Sequence, residues 1–436
     1  MLLSVNIKET NLYMIHSPRS DNTLIELESG PSPRRVLLPL GLGTAISLLG
    51  DSTLYTVLPQ ASIAASVGVT LTMVGILLGI NRLVRLLSNP IAGILYDRLP
   101  TRRLMITSLF IGFISTTILA IGRGFEIYVL GRVLWGIAWS GIWIGGNTIV
   151  LDIANDENRG RLSGRYQMWF FAGIGASAFL GGVFTDSFGF YQGLLISAGL
   201  TGMALLMWIL YLPETKPHRV NSPRLSQPDS GHIFPWNTAI LASVPVFVVR
   251  FVLAGVLAST TILWLGSFMG DGIALDSGFI PLATFTGAFV AVRTFIGMIS
   301  APFSGKLSDR INRRWLVIAI LLAVGSFGLW LMSSVAMTTA VLGAFLASIP
   351  GGGIQALAPV IAGDKVRPEV EGRVISVMYT IGDIGSALGP PLALWIVSVA
   401  GLTSLYFGCS VFFALTALIT LGLEFHDAAL LREVGV

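Results

Sequence analysis

Seven charged side chains stand in stretches that are otherwise continuously apolar: Asp51, Arg82, Arg85, Arg132, Arg250, Arg293 and Asp383. An ionised group at the centre of a bilayer costs at least about 2.5 to 3.5 kcal/mol unless it faces a partner or a water-filled cavity. Arginine keeps its proton in proteins, so only Asp51 and Asp383 could carry a transported proton. Asp51 lies in Leu48-Leu49-Gly50-Asp51-Ser52-Thr53, about 15 residues into its apolar segment. At about 1.5 Å per residue that depth is roughly 22 Å, past the midplane. Arg132 and Arg82 are its candidate partners, and a structural ion pair locking the helices is the alternative use. Arg82 and Arg85 are three apart and share a helix face. Two carboxylates cannot neutralise five guanidinium groups. An anionic substrate held by Arg82, Arg85, Arg250 and Arg293, cavity water, or snorkelling by Arg85 and Arg250 must account for the surplus. Asp383 sits among Gly382, Gly385 and Gly389, where small residues also favour close helix packing.

The segments that position these groups define the architecture. The chain is 53% hydrophobic and only 11% charged, with a mean hydropathy of +0.79, whereas soluble domains are about 25% charged. Apolar runs of membrane-spanning length predict six helices near 36–60, 70–96, 104–122, 125–149, 164–185 and 190–212, then six near 241–268, 279–307, 315–333, 336–362, 374–400 and 402–423. The expected organisation is a disordered tail over 1–35, a six-helix bundle over 36–212, a Pro-rich linker over 213–240, a second bundle over 241–423 and a tail over 424–436. Of the 27 Lys and Arg residues, only Arg82, Arg85, Arg123, Arg132, Arg250 and Arg293 fall on membrane or outer-loop positions. The positive-inside rule therefore predicts that both termini and the central linker are cytoplasmic. The same loop bias explains the net charge of +4 without nucleic-acid binding.

The two halves carry the same charged sequence. Gly93-Ile94-Leu95-Tyr96-Asp97-Arg98 followed by Arg102-Arg103 aligns without a gap to Gly305-Lys306-Leu307-Ser308-Asp309-Arg310 followed by Arg313-Arg314. At the same offset Pro90 meets Pro302, Asp152 meets Asp364, and Gly160-Arg161 meets Gly372-Arg373. An internal repeat of this size in a polytopic chain places a transport site between the repeats. A carboxylate in a basic loop can accept charged hydrogen bonds and face positive helix ends, each worth about 0.3 to 1 kcal/mol. Asp97 with Arg98, Arg102 and Arg161, and Asp309 with Arg310, Arg314 and Arg373, therefore read as latches of an inner gate. Simple orientation signals are the alternative for the flanking arginines.

This loop, at Gly93, Leu95, Asp97, Arg98, Arg102 and Arg103 and again at Gly305, Leu307, Asp309, Arg310, Arg313 and Arg314, resembles the signature of the major facilitator superfamily. Pro100 and Asn312 occupy its usual glycine position. The resemblance implies an all-α fold of twelve transmembrane helices in two pseudo-symmetric six-helix bundles. Arg132 and Gly136 resemble a helix 4 motif of the drug and proton antiporters, which implies a proton-coupling role for Arg132. The antiporter glycine motif of helix 5 is only echoed, by Gly173, Gly175, Gly181 and Gly182, while a Gly389-Pro390 pair stands in helix 11.

The expectation is a monomeric secondary transporter in the plasma (cell inner) membrane, not an enzyme. It would move a small molecule by alternating access, driven by protons, with export of amphipathic drug-like solutes favoured. A transporter of a small organic or inorganic anion is one alternative, and a non-transporting receptor or sensor is another. No phosphate-loop motif and no metal-spaced cluster is present, and neither cofactor nor metal is expected; the lone Cys409 cannot pair within the chain. Trp135, Trp139, Trp143, Trp169, Trp264, Trp330 and Trp395 either line a cavity or pack and anchor at the interface.

Overall fold

In bilayer hydrocarbon every backbone polar group needs an internal partner, which restricts apolar segments of this length to helices. The computed structural model describes residues 33–154, 158–215, 234–275, 278–366 and 368–433. The expected N-terminal tail up to residue 32 and most of the central linker lie outside the described residues. Ten helices follow directly from the chain: α1 (Arg35–Val57), α2 (Leu71–Arg98), α3 (Thr101–Ile121), α4 (Phe125–Asp152), α5 (Arg161–Phe188), α6 (Phe190–Tyr211), α7 (Trp236–Met269), α8 (Leu282–Ile311), α9 (Arg314–Met332) and α10 (Met337–Lys365). The last helical stretch, Pro368–Glu433, is broken at Gly401 by φ 79 and ψ 173. Glycine takes that left-handed φ without steric cost. It separates α11 (368–400) from α12 (402–433), which completes twelve spans among the described residues.

The helix ends differ from the sequence expectation where polar groups intervene. α3 begins at Thr101 because Glu214, just beyond α6, accepts the backbone N–H of Thr101 and of Arg102, each at 3.1 Å. The second bundle repeats the device, with Glu424 of α12 accepting the Leu316 N–H of α9 at 3.3 Å. A carboxylate at a helix N-terminus satisfies orphan donors and meets the positive end of the dipole. α12 continues into the expected C-terminal tail of 424–436, as far as Glu433. α8 begins at Leu282 and not at 279 because an antiparallel hairpin precedes it, β1 (Gly272–Leu275) paired with β2 (Gly278–Pro281). α7 contains a π-helical stretch at Arg250–Leu257.

Two apolar cores organise the bundle pair. One is confined to the first bundle and includes Leu40, Met105, Ile142, Tyr166 and Trp208. The other is continuous across both bundles, joining Leu54, Leu58, Val74 and Leu77 of the first half to Leu257, Trp264, Leu265 and Leu282 of the second. The bundles meet where small residues let backbones approach. At Gly182 a Cβ would collide with Ala283, at Gly287 with Ala178 and Phe179, and at Gly75 with Pro390 and Pro391. Asp186 of α5 also accepts from the backbone N–H and the hydroxyl of Thr284 in α8, each at 2.6 Å. At the other face the duplicated-loop glycines Gly93 and Gly305 have open space around them. The close approaches between the bundles at Gly75, Gly182 and Gly287 thus lie away from the duplicated loops.

Candidate functional site

In the first bundle the charges converge on α1. Arg132 of α4 is fully buried and ion-pairs through Nη1 with Asp51 Oδ1. Its Nε donates to the Leu77 carbonyl of α2 at 2.8 Å, and Asn81 Nδ2 donates to the same Asp51 oxygen at 3.3 Å. Arg132 Nη2 and Asn81 Oδ1 are buried without a hydrogen-bond partner. Arg82 is not on Asp51. Its Nε donates to the Tyr55 hydroxyl at 2.9 Å, and that hydroxyl donates to the Leu78 carbonyl. The Tyr55 ring has guanidinium carbons of Arg82 and Arg132 at 5.3 and 5.5 Å from its centroid, within cation–π range.

The second bundle has no carboxylate at the equivalent place. Arg293 of α8 is buried and donates to two hydroxyls, Ser348 of α10 and Thr261 of α7, each at 3.0 Å. Near it, Thr260 and Tyr406 share a hydroxyl hydrogen bond at 2.9 Å. Among the described residues no carboxylate lies within ion-pair distance of Arg82 or Arg293.

Asp383 of α11 joins the two bundles. Arg250 Nη1 of α7 reaches its Oδ1 at 2.6 Å, and Arg85 Nη2 of α2 approaches the same oxygen at 3.8 Å. Both arginines therefore have an intramembrane counter-ion, so neither depends on snorkelling. Arg85 Nε is buried without a hydrogen-bond partner, and Arg250 also lies 5.3 Å from the Tyr379 ring centroid. One turn away from Asp383, a Cβ at Gly79 would collide with the Ala387 carbonyl. This contact marks where α2 and α11 cross most closely.

The expected gate residues lie at the face of the duplicated loops. Asp97, Arg98, Arg161, Asp309, Arg310 and Arg373 are exposed. Arg102 Nη2 donates to the Ile209 carbonyl of α6 at 2.5 Å, and its backbone N–H is held by Glu214. Arg314 pairs with Asp364 at 2.7 Å and not with Asp309. Both arginines are held within their own bundles in this arrangement.

Sequence reasoning did not single out Tyr55, Asn81, Ser348 or Thr261, whose polarity inside apolar helices is the signal that could have found them. It also left the use of the tryptophans open. Trp135, Trp139 and Trp143 form a ladder along α4 with ring centroids 5.9 and 5.8 Å apart. Phe170 of α5 stands 4.7 Å from Trp143, and Trp143 is only half-buried. Among the described residues no group of three or more His, Cys, Asp or Glu is placed to hold a metal.

The Major Facilitator Superfamily model matches residues 40–341 and 282–433. The Escherichia coli (strain K12) inner membrane transport protein YajR is 23% identical over 376 residues, covering 84% of this chain and 78% of that protein. The Escherichia coli tetracycline resistance protein, class C, is 28% identical over 280 residues, covering 58% and 69%. Among solved structures, a bacterial homolog to the human lysosomal transporter Spinster, in an inward-facing and unoccupied conformation, superposes with a TM-score of 0.73 at 18% identity, covering 90% of this chain and 97% of that one. The chain belongs to the Major Facilitator Superfamily.

Proposed function

We propose that this member of the superfamily is a proton-coupled secondary transporter whose substrate is a small amphipathic organic anion, moved by alternating access between the bundles. The observation that carries the reading is a pair of arginines with no direct ion pair among the described residues. Arg82 in one bundle and Arg293 in the other hydrogen-bond to hydroxyl groups; Arg82 shares the fields of Asp51 and Asp383 only at longer range. Intramembrane cations without a directly bonded counter-ion favour an anion at work, and guanidinium offers a carboxylate a planar two-pronged grip. Asp51 and Asp383 are the carboxylates available to carry the coupled proton. The duplicated loops act as the inner gate in the opposite state, with the termini in the cytoplasm and the monomer as the unit in the plasma membrane. Nothing in this reading asks the chain to be an enzyme.

Export of neutral or cationic drug-like solutes is the second reading. The tetracycline resistance relative and the half-buried Trp143 at the end of the aromatic ladder favour it. Thermal stability of the purified protein separates the two, since a ligand that binds the folded state raises its stability by mass action. Benzoate is expected to stabilise the wild type, while benzamide and tetraphenylphosphonium are not. Arg82→Gln and Arg293→Gln are expected to lose the benzoate effect. Stabilisation by tetraphenylphosphonium alone would overturn the anion reading and leave drug export.

A further inference from the structure

We infer that Asp383 is a built-in competitor for the substrate: an organic carboxylate binds between Arg85 and Arg250 in its place, and does so together with a proton taken up by Asp383. This inference rests on the anionic-substrate reading and adds to it a subsite and the sign of proton coupling.

The geometry is that of an occupied anion site. Both guanidinium groups converge on one oxygen, Asp383 Oδ1, at 2.6 Å from Arg250 and 3.8 Å from Arg85. The longer contact leaves Arg85 only loosely paired, and its Nε is buried with no acceptor. A mobile carboxylate could satisfy Arg85 better than Asp383 does from its fixed place on α11. A cavity of about 20 Å³ adjoins Arg250, lined by Val246, Ile354, Gln355, Met378 and Tyr379; it has room for about one water and must widen to take the apolar body of such a molecule.

Asp383 also stands beside a contact between the bundles. One to two turns from it α2 and α11 touch through Gly79 and Ala387 and through Gly75 and Pro390, and its own partners Arg85 and Arg250 belong to different bundles. An exchange of counter-ions here therefore acts on the contact between bundles.

Charge fixes the sign of the coupling. The charged groups acting on Asp383 among the described residues are Arg85 from α2, Arg250 from α7 and, at longer range, Arg82 from α2, and Tyr379 of its own helix faces Arg250. With Asp383 ionised, the Arg85, Arg250 and Asp383 triad carries one net positive charge. An added carboxylate with Asp383 still ionised would place two anions on one oxygen's site. With a proton on Asp383 the loaded triad again carries one positive charge. Loaded and empty forms then match in charge, and proton and anion travel in the same direction. Linkage requires the converse as well, so that the anion promotes protonation as the proton promotes anion binding.

The test is calorimetry of benzoate binding to the full chain in phosphatidylcholine nanodiscs, repeated in buffers of different ionisation enthalpy. Between about pH 6 and pH 8 benzoate stays ionised, since carboxylic acids of this kind titrate near about pH 4. The expected result is net proton uptake on binding, with affinity rising towards about tenfold per unit fall in pH, the limit for one linked proton. Asp383→Asn should bind benzoate at least about tenfold more tightly than the wild type at the upper pH and lose the pH dependence. Arg85→Gln and Arg250→Gln should each weaken binding at least about tenfold. Proton release, or an affinity that ignores pH in the wild type, overturns the inference even where a variant fails to fold. Benzoate binding that depends on Arg82 and Arg293 but not on Asp383 overturns it while leaving the anion reading intact. Absence of benzoate binding overturns both.

Discussion

Asp51→Asn tests whether the charge cluster of the first bundle is a true buried ion pair. Arg132 has no exposed surface, and its Nη1 is spent on Asp51 while its Nε is spent on the Leu77 carbonyl. Its Nη2 already lacks a partner. Removing the carboxylate charge leaves a guanidinium with no exposed surface and, among the described residues, no other carboxylate in ion-pair range. Losing one partner of a buried pair costs about 3 to 5 kcal/mol. The retained amide oxygen of the substituted side chain still accepts one hydrogen bond, which places the expected loss at the lower end, about 3 kcal/mol. Arg132→Met should cost less, because the Asp51 side chain keeps 16% of its exposure and an amide donor in Asn81. The double variant should recover part of the loss, giving a coupling of about 2 to 3 kcal/mol. Unfolding in mixed micelles, followed by tryptophan fluorescence, reads all four corners of the cycle. A coupling below about 0.5 kcal/mol would show that the pair contributes nothing beyond its separate members. The proton uptake that accompanies benzoate should survive Asp51→Asn, since that signal is assigned to Asp383.

Other outcomes follow from contacts elsewhere in the fold. Gly79→Val should disrupt the α2 and α11 crossing, because the added carbons meet the Ala387 carbonyl and Pro391; faster maleimide labelling of Thr284→Cys in a Cys409→Ser background would report the opened face, and unchanged labelling would show that the crossing does not hold it shut. Glu214→Gln removes the charged acceptor from two backbone donors of α3 and should cost about 1 kcal/mol in the same unfolding assay. Glu424→Gln, with one such bond at 3.3 Å, should cost less, and the reverse order would refute the capping account. Asp97→Asn should preserve folding, because Asp97 is exposed in this arrangement, yet slow transport severely; normal turnover in proteoliposomes would reduce Asp97 to an orientation signal.

The twelve helices were legible because a membrane span is announced by length and apolarity alone, and the gapless repeat suggested the division into halves. What the apolar pattern cannot carry is the polar detail at helix ends. α3 starts at Thr101 because of Glu214, a residue far away in sequence whose partner only the folded bundle identifies. The hairpin before α8 was missed for a related reason, since Ile273, Phe279 and Ile280 are as apolar as the helix they precede.

The charged residues were legible as a set but not as pairs. Composition shows that two carboxylates face five arginines, and that imbalance is sufficient to suggest an anion. Which arginine remains without a carboxylate depends on rotation about helix axes. A helical period of 3.6 gives those rotations along an unbroken α-helix, yet Arg250 opens the π-helical stretch of α7. Each residue spent in a wider turn shifts the phase of everything beyond it, so Arg250 and Thr261 cannot be placed on their faces of α7 by a single period. The stretch also sets Gly255 against Gly389, drawing α7 onto α11 one to two turns from Asp383. A local departure from the α-helix thus brings Arg250 to the aspartate and leaves Thr261 for Arg293. π-helical turns recur at functional sites, and here the turn stands between the residue that pairs with Asp383 and the residue that bonds Arg293.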